Sequence, residues 1–159
     1  MGEVVKKDEL IKIVENLKKE GKKVVFTNGC FDILHIGHVR YLKASSKCGD
    51  VLIVGLNSDK SVRAIKGETR PINNENDRAE LLSELNFVDY VVIFDENSPS
   101  KLLEEIKPTI YTKGADYTLE TLPEAKVAKE NNIEVKFIEL VQGKSTTNII
   151  KTINSDKNN

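Results

Sequence analysis

The chain has little cysteine, histidine or tryptophan, and it has no long hydrophobic run. Its 159 residues include two cysteines, two histidines, one methionine and no tryptophan. Cys30 and Cys48 form no CxxC pair, which argues against both a disulfide framework and a thiolate zinc site. The longest apolar runs, such as residues 51–56, are far too short to cross a bilayer.

Charge of one sign is also lacking. Lysine and arginine number 24 against 25 aspartates and glutamates, for a formal charge of -1 and a pI near 6.2. A general nucleic-acid binder needs a basic excess, so this class is excluded, and no membrane partner is expected. Residues 1–9 carry no apolar core of signal-peptide length. We therefore expect a cytoplasmic protein with reduced thiols.

The length suits one domain, spanning residues 1–159. We expect a helix within residues 1–22, a core over residues 23–153 and a polar tail over residues 154–159. Five runs favour β-strands: residues 24–27, 51–56, 88–94, 109–112 and 134–140. The first four are mostly apolar throughout, as in strands buried on both faces. The fifth alternates apolar and polar residues, which is typical of an edge strand.

Helical patterns separate these runs. The first predicted helix stops at Gly21, and the second runs from Gly37 and ends before Gly49. The third opens near Asn74, and its apolar face is formed by Ala79, Leu81, Leu82 and Leu85. Ser98 caps the fourth, which has Pro99 at its first position, Pro123 opens the fifth, and Ser145 caps the last. Alternating strands and helices predict an α/β fold, a Rossmann-like doubly wound parallel sheet of five strands. Ligands of such sheets bind beyond the carboxyl ends of the strands.

Both histidines follow the first predicted strand. They occur in residues 29–38, GCFDILHIGH, where a loop turns into a helix. Their three-residue spacing puts His35 and His38 on one face of the helix, and a helix N-terminus attracts anions. The alternative, one capping and one core histidine, explains a single histidine better than it explains this pair. We therefore predict phosphate contact.

This segment resembles the HxGH signature of the cytidylyltransferase-like nucleotidyltransferase superfamily. Residues 143–150, GKSTTNII, resemble the second signature of that superfamily. Further segments, at residues 27–32, 57–59, 66–71 and 113–117, are similar to the sugar-phosphate adenylyltransferases that make ADP-heptose. The resemblance covers residues 23–153. In many bacteria that activity is the C-terminal half of a protein whose other half is a sugar kinase. Only about one helix precedes the first predicted strand here, so a stand-alone adenylyltransferase is expected.

The resemblance implies that a sugar 1-phosphate attacks the α-phosphorus of ATP, with release of pyrophosphate. The acceptor is expected to be D-glycero-manno-heptose 1-phosphate, with Mg²⁺ or another divalent cation as cofactor. His35, His38 and Lys66 are the expected catalytic residues. The resemblance implies nucleotide binding by Asn28, Gly29, Cys30, Phe31, His35, His38, Arg78, Lys113, Gly114, Asp116, Ser145, Thr146 and Thr147.

Several assignments have alternatives. Asp32 is a candidate Mg²⁺ ligand, but it could equally cap its own turn. Arg78 resembles an active-site arginine, with a surface ion pair to Glu75 or Glu80 as the alternative. Residues 60–70 carry a local charge of +3, which fits either a sugar-phosphate contact at Lys66 or a solvated loop.

Two departures from the pattern and three rival functions stay open. Ala115 stands where the family has a second glycine, and Lys144 stands where it has an apolar residue. The rivals are a glycerol-phosphate cytidylyltransferase, another small-molecule adenylyltransferase such as an FAD synthase, and a nucleotide-binding module without turnover. Related transferases are often dimers, so a homodimer is one expected assembly.

Overall fold

The computed structural model describes residues 2–139 and 146–157, with side chains over 2–139 and 149–154. Within these residues the strands are β1 (Glu3–Val4), β2 (Val24–Gly29), β3 (Val51–Asn57), β4 (Tyr90–Phe94), β5 (Ile110–Gly114) and β6 (Glu134–Ile138). The helices are α1 (Lys7–Lys19), α2 (Ile36–Ser46), α3 (Asp59–Lys66), α4 (Glu75–Ser83), α5 (Ser100–Ile106), α6 (Ala125–Glu130) and α7 (Thr146–Lys157).

The described strands form one parallel sheet in the order β1-β4-β3-β2-β5-β6. The predicted α/β class and parallel sheet are confirmed, and β6 is an edge strand as its alternating pattern predicts. The predicted count of five strands is wrong, because the described residues contain six. The extra strand, β1, pairs Glu3 with Tyr90 and Val4 with Val91, so the N-terminal segment joins the sheet as well as forming a helix.

Helices cover both faces of the sheet. Side chains from α1, α5 and α6 form one core cluster around Phe26 and Tyr111, and side chains from α2 and α4 form the other around Leu52 and Val54. Successive residues of β2 point into opposite clusters, which explains why its apolar run is unbroken. None of the described helices is long and apolar enough to span a membrane.

Local signals set several of the described helix ends. Helix α1 ends before Gly21, whose φ of 79° is the left-handed conformation that glycine adopts readily. The Asn74 side chain accepts a hydrogen bond from the Asp77 N–H and caps α4, as predicted. Ser98 Oγ accepts from the Ser100 N–H, so α5 begins one residue later than predicted, after Pro99.

Two further predictions need correction, and a third falls outside the described residues. Leu81 is 48% exposed, so it does not belong to the buried face of α4. Helix α6 begins two residues after Pro123. Ser145, the predicted cap of the last helix, lies outside the described residues, although α7 begins at the next position.

Candidate active site

The site is a cleft of about 570 Å³ at the carboxyl edge of the sheet. Strands β3 and β4 lie on one side of β2, whereas β5 and β6 lie on the other. The connections that follow β2 and β5 therefore run in opposite directions and leave a crevice between them. The cleft is lined by residues after β2, at the end of β3, near the end of α3, before α5 and after β5.

Most of the predicted site residues meet in this cleft. Those that line it are Asn28, Gly29, Cys30, Phe31, Asp32, His35, His38, Lys66, Lys113, Gly114 and Asp116. Arg78 is not among the lining residues. Ser145 and Lys144 lie outside the described residues, and Thr146 and Thr147 are described only as the first backbone positions of α7.

The two imidazoles are stacked at the start of α2. Their ring centroids are 3.8 Å apart with an interplanar angle of 25°. His35 is the N-cap residue of α2, and its Nδ1 accepts a hydrogen bond from the Gly37 N–H at 3.1 Å. The Nδ1 of His38 accepts a hydrogen bond from the His35 N–H at 3.4 Å. A nitrogen that accepts a hydrogen bond carries no proton, so each neutral ring holds its proton on Nε2. The backbone thereby selects the tautomer that makes Nε2 a donor.

His38 is held in its neutral form. Burial, with a smaller contribution from the adjacent His35 ring, lowers the pKa of His38 from 6.5 to about 4. Near neutral pH, His38 is therefore an uncharged hydrogen-bond donor rather than an imidazolium.

Phe31 fills the space beside His38. Its ring packs edge-on against the His38 ring, with centroids 5.1 Å apart and an angle of 71°. A Cβ atom on Gly29 would lie 2.8 Å from the Phe31 ring, so only glycine fits there without a shift. Burial raises the pKa of the neighbouring Cys30 thiol, which argues against an activated thiolate.

Asp32 is fully engaged with the segment of residues 70–73. Its carboxylate accepts from Arg70 Nε at 2.7 Å and from the backbone N–H groups of Ile72 and Asn73 at 2.9 Å. Burial alone would raise the pKa of Asp32, but these hydrogen bonds and the Arg70 charge outweigh it and lower the pKa below its usual value.

These contacts test the predicted metal site. The Asp32 side chain is 0% exposed and its oxygens bind protein donors, so it does not fit as a Mg²⁺ ligand. It also fastens a neighbouring segment rather than capping its own turn. Across the residues whose placement is described, no group of three or more His, Cys, Asp or Glu side chains is arranged to hold a metal ion.

Arg78 lies beneath the cleft, not in its wall. Its side chain is 0% exposed. The guanidinium donates to the carbonyl oxygens of Asn73, Cys30 and Asn57 at 2.8–2.9 Å and forms an ion pair with Asp59 at 2.8 Å. The predicted contact with nucleotide is therefore not what the structure shows, and neither is the alternative pair with Glu75 or Glu80. Arg78 joins three segments that border the cleft.

One end of the cleft is basic. Lys66 is the last residue of α3, and it lines the cleft together with Ile65 and Arg70. The +3 segment of residues 60–70 is thus divided, because Lys60 and Arg63 are not among the lining residues. Residues 59–66 form α3 rather than a loop, and Lys60, Arg63 and Lys66 are exposed on it, so the alternative is correct about solvation and wrong about the loop.

The opposite end, after β5, has mixed charge. Lys113 Nζ lies 5.1 Å from the centroid of the Tyr117 ring. Burial lowers the pKa of Lys113, and the nearby Glu124 and Asp116 carboxylates oppose that shift. Ala115 does not require a left-handed backbone, since it is not among the described residues with positive φ, so the missing glycine causes no strain there.

Sequence reasoning missed several lining residues. These are Tyr41, Asn57, Ile65, Arg70, Asn97, Pro99, Tyr117 and Glu124. Asn57, Arg70 and Tyr117 lie in segments that carry the family resemblance, so that signal was available. No sequence pattern indicated Glu124, because it reaches the cleft only through the fold. Its buried carboxylate accepts a hydrogen bond from Ser98 Oγ at 3.1 Å.

A buried network of hydroxyl groups supports the cleft from below. Tyr41 OH lies 2.8 Å from Thr27 Oγ1, and Thr27 Oγ1 donates to the Thr112 carbonyl oxygen at 3.2 Å. Ser45 Oγ is 2.9 Å from Thr112 Oγ1. The network ties α2 to β2 and β5 where ligand-binding loops leave the sheet.

The parallel sheet, the cleft at its carboxyl edge and the paired imidazoles agree with the nucleotidyltransferase resemblance of the sequence. Residues 26–156 match the model of a family described as cytidylyltransferase-like, and the chain belongs to that family.

Curated relatives share the name bifunctional protein HldE. The chain is 57% identical over 145 residues to that of Campylobacter concisus and 52% identical over 150 residues to that of Campylobacter fetus. These alignments cover 91% and 94% of this chain but only 30% and 31% of the relatives, so the chain spans about a third of their length. A crystal structure of the lipopolysaccharide core biosynthesis protein from Thermoplasma volcanium matches with a TM-score of 0.62 and 38% identity, covering 78% of this chain and 100% of that one.

Proposed function

We propose that the protein is an adenylyltransferase that moves AMP from ATP to a sugar 1-phosphate and releases pyrophosphate. The observation that carries the proposal is the stacked pair His35 and His38 in the cleft, whose Nδ1 atoms accept hydrogen bonds from backbone N–H groups, so that each neutral ring carries its proton on Nε2. Neutral donors fixed in place are suited to phosphoryl oxygens on which charge develops.

The choice of substrates rests on similarity. The motifs resemble those of adenylyltransferases that make ADP-heptose, and the curated relatives are named bifunctional protein HldE. D-glycero-manno-heptose 1-phosphate is therefore the proposed acceptor. Because the reaction consumes ATP, we place the protein in the cytoplasm. A homodimer remains a prediction that light scattering can test.

The proposed reaction is a direct displacement. An oxygen of the sugar phosphate attacks the α-phosphorus of ATP, the bond to the oxygen that bridges the α- and β-phosphates breaks, and pyrophosphate leaves with that electron pair. His35 and His38 donate from Nε2 to phosphate oxygens as negative charge spreads over them. A divalent cation would screen the charge of the triphosphate, and no described residue is assigned to it.

The asymmetry of the cleft supports an orientation for the substrates. The basic end, with Lys66 and Arg70, suits the acceptor phosphate. The end after β5 offers the Tyr117 ring and the polar groups of Asp116 and Glu124 to the uncharged nucleoside. The α-phosphate then lies near the imidazole pair, between the two.

A pyrophosphate-release assay tests the proposal. Purified protein is given ATP or CTP with each anomer of D-glycero-manno-heptose 1-phosphate, or with glycerol 3-phosphate. We expect release only with ATP and a heptose 1-phosphate. Release with CTP and glycerol phosphate would instead show the rival cytidylyltransferase. ATP binding by calorimetry, with no release from any acceptor tested, would show a binding module without turnover.

A further inference from the structure

Phe31 has an unusual backbone for a bulky side chain. Its φ is 44°, in the left-handed region that residues other than glycine, asparagine and aspartate rarely adopt. The other described non-glycine residues with positive φ are Lys107 and Asn132, which follow the ends of α5 and α6, where this conformation is common. Phe31 instead lies in the loop between β2 and α2, and such a conformation persists only where its surroundings enforce it.

Hydrogen bonds fix the chain on both sides of Phe31. On one side, the carbonyl oxygen of Cys30 accepts from Arg78 Nη1 at 2.8 Å. On the other, the carbonyl oxygen of Asp32 accepts from Asn73 Nδ2 at 2.7 Å, and its carboxylate accepts from the Asn73 N–H at 2.9 Å. Arg78 also donates a hydrogen bond to the Asn73 carbonyl oxygen, so the hydrogen bonds on the two sides of Phe31 belong to one network.

The enforced backbone directs the Phe31 ring against an imidazole. The ring is 8% exposed and meets the His38 ring edge-on at 5.1 Å. Gly29 leaves the room that the ring occupies, since a Cβ there would lie 2.8 Å from it. His38 is thus in contact with two rings, that of Phe31 and that of His35.

We propose that Phe31 is a positioning residue: its backbone, fastened by Arg78 and Asp32, presents its ring to His38 and fixes the direction in which that imidazole donates from Nε2. The role in catalysis rests on the proposed function. The geometric role does not, since it concerns the protein alone.

The test compares Phe31→Leu with Phe87→Leu. Phe87 packs partly buried against the same core cluster as Phe31, and it is not among the residues that line the cleft, so it controls for loss of an aromatic ring from the core. For each variant, kcat and KM for ATP are measured by pyrophosphate release. The His38 pKa is measured by NMR titration, which is simple because the chain has two histidines.

We expect Phe31→Leu to lower kcat by about 10- to 100-fold, as for a small displacement of a catalytic group, with little change in KM. The pKa of His38 should rise from about 4 toward 6.5, because water reaches the ring. Phe87→Leu should change neither quantity. A folded Phe31→Leu variant with the wild-type kcat and His38 pKa overturns the proposal, and so does an equal loss of kcat in both variants.

Two further measurements cover other outcomes. If Phe31→Leu does not fold, the wild-type protein must still show nuclear Overhauser effects between the ring protons of Phe31 and His38, and their absence overturns the proposal. If wild-type protein shows no transferase activity, the proposed function fails by itself. The titration of His38 in the two variants then decides the geometric role alone.

Discussion

At the scale of single residues, the site depends on which nitrogen of each imidazole is engaged by the backbone. His35 and His38 use Nδ1 to satisfy N–H groups at the start of α2, positions that a helix otherwise leaves without intrahelical partners. The same bonds turn Nε2 into a donor. One interaction therefore caps a helix and sets the chemistry of the cleft.

Two isosteric variants of His38 separate these roles. Asparagine retains an acceptor near the Nδ1 position and removes the Nε2 donor, whereas glutamine places an amide donor near Nε2 and loses the acceptor. We expect His38→Asn to fold normally and lose about 100- to 1000-fold in kcat. His38→Gln should keep more activity but unfold at lower urea concentration. Equal kcat values for the two variants would contradict the assigned roles.

The lowered pKa of His38 also predicts how stability depends on pH. The folded protein keeps His38 neutral down to about pH 4, whereas the unfolded chain takes up a proton near 6.5. The unfolded state binds more protons in that window, so the free energy of unfolding should fall as pH drops from about 6.5 to about 4. Urea titrations across this range measure the effect, and His38→Asn should flatten it. Asp32 contributes only at lower pH, below its ordinary value of 3.8.

At the scale of elements, apolar runs were sufficient to predict β2 to β5, because strands buried on both faces leave an unbroken hydrophobic signature, and the alternation of apolar and polar residues predicted the edge strand β6. The two-residue β1 and the eight-residue α3 carry too few apolar residues to be found that way. The roles of Arg78 and Asp32 were also not predictable. Both depend on loops that are distant in sequence and are brought together by the fold, whereas the histidines act within one short segment.

The fastening of the segment at residues 70–73 by Asp32 gives an element-scale prediction. Asp32→Asn replaces a charged acceptor with an amide that cannot accept all of these bonds, so we expect a loss of about 2 kcal/mol in the free energy of unfolding. Because Asp32 is not a metal ligand, the Mg²⁺ concentration for half-maximal activity should not change. Asp95→Asn, at an exposed site outside the cleft, is the control. An increased Mg²⁺ requirement specific to Asp32→Asn would instead favour a metal role.

At the scale of the whole molecule, ligand binding should raise the melting temperature. ATP at about 100 times its Kd adds about 2.7 kcal/mol to the stability of the folded state, which corresponds to an increase of roughly 5–10 °C in Tm for a chain of this size. Differential scanning fluorimetry with ATP and CTP measures the shift. A smaller shift with CTP is expected, and an equal shift would count against ATP as the preferred nucleotide.

The pairing between β2 and β5 has a mechanical consequence. These strands share the register pairs Val25–Ile110 and Phe26–Tyr111, whereas β2 and β3 stay paired over six positions. Beyond Phe26, side-chain hydroxyls rather than a backbone ladder hold the two parts of the sheet together. The cleft thus opens between two central strands that share only two register pairs. A nucleotide that reaches from His38 to Lys113 would brace the two parts against each other, so substrate itself would complete the rigidity of the site.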